Sequence, residues 1–149
     1  MLTIRDGICK NCTVLKGKVG IENIDGTPAG PKSGVYIHHI LTYDTKKKGK
    51  SFVQGCVSGG GSTPSGMGAK FIGTGEDNNN IDVWYTSKTG GHLGGFHIGS
   101  ADTFMMNADL VSYAEEKRQV YITLDTEYLR GIQGGDARFV SYIPLYGNY

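Results

Sequence analysis

Two adjacent imidazoles, His38 and His39, sit inside the run Val35-Tyr36-Ile37-His38-His39-Ile40-Leu41-Thr42-Tyr43-Asp44, whose β-branched and aromatic residues predict a strand. Neutral imidazole is the commonest protein ligand for transition metals, so a histidine pair on a rigid element is a start for a copper or zinc site. On a flat strand the two side chains leave opposite faces, Val35, Ile37, His39, Leu41 and Tyr43 on one and Tyr36, His38, Ile40, Thr42 and Asp44 on the other. They reach one ion only if the strand is bulged or twisted there, or lies at a sheet edge; otherwise one is a core histidine and the other is exposed. The other two histidines, His92 and His97, lie in the glycine-rich run Gly90-Gly91-His92-Leu93-Gly94-Gly95-Phe96-His97-Ile98-Gly99, and one of them could complete a three-imidazole set. His97, on a short strand, is the better candidate.

The elements that must hold these residues read as strands. Glycine is abundant, at 24 of 149 residues, proline is scarce, and helical periodicity is almost absent. Candidate strands run over 2–5, 13–22, 35–44, 51–57, 69–72, 81–86, 96–99, 103–114, 118–129 and 137–142, which predicts an all-β, antiparallel sandwich in one domain over 1–149. Two long alternating runs flank the short polar connection Ala114-Glu115-Glu116-Lys117 and read as a hairpin. Phe104, Met106, Ala108 and Leu110 share one face of the first arm; Val120, Ile122, Leu124 and Thr126 share one face of the second. Of Met105 and Met106, one is expected in the core. The runs 58–68 and 73–80 read as loops; the first lacks a phosphate-cradling motif and the second lacks the spacing of a calcium loop.

Formal charge is +1 with the two signs interspersed, so nothing points to nucleic acid, and the dense run Lys46-Lys47-Lys48-Gly49-Lys50 reads as a solvated turn. No stretch is apolar enough for a membrane span, and the first residues carry no secretory signal. Cys9 and Cys12 form a CxxC that reads as a structural disulfide or as simple free thiols, Cys56 is the odd cysteine, and Asn11-Cys12-Thr13 is a glycosylation sequon overlapping the CxxC. Asp125 and Glu127, on one strand face, read as solvated rather than catalytic carboxylates, and no nucleophile elbow for a hydrolase is present. Trp84 and Tyr85, if exposed beside polar loops, could stack on a sugar, which keeps a glycan or protein recognition module as the alternative function.

The order Gly34-Val35-Tyr36-Ile37-His38-His39-Ile40-Leu41-Thr42-Tyr43, Gly55-Cys56, Gly94-Gly95-Phe96-His97-Ile98-Gly99 and Leu110-Val111-Ser112-Tyr113 resembles the N-terminal half of the type II copper, ascorbate-dependent monooxygenases and their fungal and plant stress-up-regulated nodulin-like relatives. The resemblance covers residues 6–128. It implies a jelly-roll-like sandwich, usually one of two in tandem, each with one copper, in an extracellular, disulfide-bonded protein. It also implies that His38 and His39 are ligands of the electron-transfer copper. The third ligand of that family falls at Ser112, a poor copper donor, so the expectation passes to His97 as the third ligand. The His-x-His of the oxygen-activating copper is absent, so the resemblance implies an electron-transfer half that is not catalytic by itself, with a second copper domain or a second copy as partner.

Overall fold

The computed structural model describes residues 2–4 (backbone), 8–47, 68–75 and 81–137. The strands are β1 (Leu2–Ile4), β2 (Cys12–Asn23), β3 (Val35–Asp44), β4 (Ala69–Gly75), β5 (Val83–Trp84), β6 (Gly94–Ile98), β7 (Phe104–Ser112), β8 (Val120–Arg130) and β9 (Gly135–Asp136). One sheet has the order β1-β7-β3-β4, and the other has the order β5-β2-β6-β9 with β8 along β2. The molecule is an all-β sandwich. All its strand pairs are antiparallel among the described residues except the two-residue β6–β9 contact.

Strands expected over 51–57 and 137–142 fall largely outside the described residues, as do Cys56 and most of the expected loops 58–68 and 73–80; the described part of the second loop, 73–75, is instead the end of β4. The expected hairpin over 103–129 is not formed. Its first arm, β7, pairs with β1 and β3, and its second, β8, pairs along the whole of β2 in the opposite sheet. The polar connection therefore crosses between layers. Alternation had correctly identified the apolar faces, since Met106, Ala108, Leu110, Val120, Ile122 and Leu124 all pack on the core. A pattern of period two fixes which side is buried but carries no information about which strand lies alongside.

The core between the layers is built from Val14, Val19 and Ile21 of β2, Val35, Ile37 and Ile40 of β3, and an aromatic group centred on Phe71. Ring centroids of Phe96 and Phe104 lie 4.8 and 5.0 Å from that of Phe71, tilted as aromatic pairs prefer. Tyr85 caps the group and donates its hydroxyl to the Phe71 carbonyl at 2.7 Å; burial pushes its phenol above the ordinary range, so it remains a donor. Phe96 is 1% exposed, so Phe96→Ala is expected to cost about 3–5 kcal/mol, read as a lower urea midpoint with unchanged slope.

Three register shifts bend this sandwich: in β2 between Val14 and Lys16, in the β3–β4 pair between Leu41 and Tyr43, and in the β3–β7 pair between Ile37 and His39. The second is held by the buried Thr42 hydroxyl, which accepts the Ile72 N–H at 2.9 Å and donates to the Ile72 carbonyl. The third falls on the histidine pair.

Candidate metal centre

Along β3 the buried residues are Val35, Ile37, Ile40, Thr42, Tyr43 and Asp44, and the step of three from Ile37 to Ile40 shows that the inward phase slips by one residue at the histidines. Opposite it on β7, Ile37 pairs with Leu110 and His39 with Asp109, leaving His38 as the unpaired residue of a bulge. A bulge places two consecutive side chains on the same side of the sheet, which a flat strand forbids. Both imidazoles accordingly lie on the outer face, their centroids 5.3 Å apart. This is the distortion that convergence of adjacent histidines demands.

The same register puts Asp109 on the site. Met106, Ala108 and Leu110 face the core, so Asp109 faces out, directly across from His39. His39 Nδ1 is 3.3 Å from His38 Nδ1, and His38 Nδ1 is 3.1 Å from Asp109 Oδ2. Among the described residues these three are the group whose donor atoms lie close enough to hold one ion, all within 4.8 Å of one another.

Hydrogen bonding alone serves this arrangement badly. An imidazole nitrogen has one in-plane direction, filled by either a proton or a lone pair. A proton on His38 Nδ1 would be shared between two acceptors, whereas a lone pair there would face the Asp109 carboxylate. A single cation in the common space would satisfy all three donors. Donors bound at ordinary metal distances to one ion stand about 2.8–3.4 Å apart for angles between square and tetrahedral; two of the three separations fall inside that span, and the third, between His39 and Asp109, lies within 4.8 Å. The donor set and its spacing fit a copper or zinc ion. The side chains of His38 and Asp109 are about half exposed, so the centre is open on its outer side.

His97 does not join this group. It lies on β6 in the opposite sheet, paired with Thr13, and its Nε2 is 3.0 Å from the Gln133 carbonyl. The physical reason is topological: β6 belongs with β2, while the histidine pair belongs with β7 and β4. His92 is exposed in the turn before β6, its carbonyl accepting Ser87 N–H at 3.3 Å. Ser112 lies on the right strand but pairs with Val35, three residues along β7 from Asp109. Asp109 is the functional candidate that motif reading missed. Its signal was present as a lone acid in the alternation Phe104, Met106, Ala108, Leu110, but it becomes meaningful only once β7 is known to flank β3.

The remaining candidates resolve into structural roles. Cys9 and Cys12 are joined as a disulfide. Asn11 between them has a positive φ of 49°, and the sequon's Thr13 is fully buried, its hydroxyl donating to the Gly131 carbonyl at 3.0 Å and accepting the Gln133 N–H at 2.8 Å. Asp125 and Glu127 face Lys18 and Lys16 across the β2–β8 ladder, at 3.6 and 3.1 Å. Trp84 is 37% exposed, with the ammonium groups of Lys16 and Lys88 4.8 and 5.1 Å from its ring centroid.

No family model matches the chain, and no solved structure matches it. Curated proteins that do match include one named probable copper-dependent oxygenase M1, from Phoma sp., 27% identical over 124 residues that make up 83% of this chain and 29% of that protein. Another, probable copper-dependent oxygenase clz3 from Cochliobolus lunatus, is 27% identical over 109 residues, 73% of this chain and 31% of its own length. The chain thus spans less than a third of the length of these relatives. At this distance the likeness supports a coarse kinship: the chain is related to proteins named as copper-dependent oxygenases.

Proposed function

We propose that this chain is a copper-binding β-sandwich domain that holds one ion through His38, His39 and Asp109 and serves as the electron-transfer part of a larger oxygenase. The observation that carries the reading is the bulge at His38, which turns two neighbouring imidazoles to one side and sets a carboxylate across from them. Kinship with proteins named as copper-dependent oxygenases supports copper over zinc for the same donors.

Copper bound there would supply one-electron redox chemistry. The chain's own residues define how. The two imidazoles are fixed in the backbone by adjacent positions, so they approach an ion with little side-chain freedom to lose. Asp109 brings a negative charge and a hard oxygen, which suits copper(II) better than copper(I) and distinguishes this centre from one of three imidazoles. The open outer side leaves positions for solvent or for a partner domain.

Copper(II) titration followed by electron paramagnetic resonance tests the reading. We expect one stoichiometric tetragonal signal with nitrogen hyperfine coupling, lost in the His38→Ala/His39→Ala double variant. An identical signal in that variant would remove the assignment.

A further inference from the structure

The metal centre opens onto a cleft. His39 is also one wall of a cavity of about 480 Å³ lined by β3 and β4, by the core residues Phe71 and Ile72, and by Val83 of the opposite sheet, within the size range of small-molecule sites. Its body is apolar, formed by Leu41, Ile72, Ile81 and Val83, and Lys70 is the charged residue on its lining. Ile81, 55% exposed, lines the cavity together with Val83. The cleft therefore offers apolar surface with a cation at a defined place.

That place is set by register. Lys70 pairs with Tyr43, whereas His39 pairs with Gly75, so the backbone positions that carry the cation and the imidazole are four residues apart along β3, about 13 Å at the strand rise. We propose that this cleft binds an amphipathic organic acid, its carboxylate at Lys70 and its apolar chain laid over Leu41 and Val83 with the far end at His39. The mainly apolar walls favour an apolar chain over a sugar or nucleotide, and Lys70, the cation on the lining among the described residues, selects an anionic head over a cationic one. Only the significance of the far end rests on the copper reading; binding of the acid does not.

Calorimetry with the metal-free chain and decanoate, and decyltrimethylammonium as its charge-reversed counterpart, tests the cleft. We expect saturable binding of decanoate, at least tenfold weaker for the cation, and a loss of at least fivefold for decanoate in Lys70→Glu. Asp109→Ala, at a metal donor that does not line the cavity, is expected to keep decanoate binding while weakening copper binding about 100-fold, which separates the two readings. In the chain loaded with copper(II), proton relaxation of bound decanoate is expected to be fastest at its terminal methyl. No saturable binding, equal affinity for both surfactants, an unchanged affinity in Lys70→Glu, or fastest relaxation beside the carboxylate would each overturn the proposal.

Discussion

Asp109→Ala is expected to weaken copper(II) binding by about 100-fold while shifting unfolding by no more than about 0.5 kcal/mol. The asymmetry follows from position. The Asp109 side chain is about half exposed on the outer face of β7, so truncation leaves no cavity and strands no buried partner. What disappears is the one anionic donor of the three. Asp109→His should restore affinity but replace a hard oxygen with a softer nitrogen, raising the copper reduction potential relative to the unaltered chain. His97→Ala should leave copper affinity unchanged, because that imidazole belongs to the other sheet. Competition titration and voltammetry on the four proteins check all three outcomes.

Lys47→Met is expected to destabilise the fold by about 3–5 kcal/mol at neutral pH, the cost of removing one partner from a buried ion pair. Lys47 is the cation between Asp44, fully buried, and Asp102, and these three tie the end of β3 to the turn before β7. The same junction is held by Thr45 N–H donating to the Thr103 carbonyl at 2.8 Å and by Lys46 N–H donating to Asp44 at 2.9 Å. Burial raises the Asp102 pKa, but the Lys47 ammonium and the Gly99 N–H outweigh it, so the carboxyl sits below its ordinary value. A carboxyl lowered on folding contributes stability that is present above about pH 4 and lost as pH falls through the lowered value. The deficit of Lys47→Met should therefore be largest near neutrality and shrink on acidification. Urea unfolding at pH 7 and at pH 3 reads both the size and the trend.

How far the sequence reveals this molecule depends on the kind of information each residue carries. Strand β3 was legible to the residue, because apolar and aromatic alternation is dense from Val35 to Asp44. The bulge was legible in principle too: Val35 and Ile37 are two apart, but Ile37 and Ile40 are three apart, a phase slip that only an extra residue at the histidines accommodates. The partner of β3 was not legible. Long alternating arms separated by Ala114 to Lys117 look like neighbours, yet the two apolar faces are served equally well by one arm in each layer. Asp109 stayed hidden for the same reason, since its role comes from a cross-strand register that no local pattern encodes. His97 looked like a ligand because glycine-rich flanks suggested freedom to approach; instead Gly95 is packed tightly against β2, where an added Cβ would collide with the Thr13 side chain.

Copper-edge X-ray absorption on the chain loaded with one equivalent of copper reads the proposed donors themselves. Two imidazoles are expected in the coordination shell, with the imidazole scattering falling by one ring in His38→Ala and in His39→Ala, and an oxygen donor lost in Asp109→Ala. Copper scattering that is the same in the unaltered chain and in all three variants would contradict it.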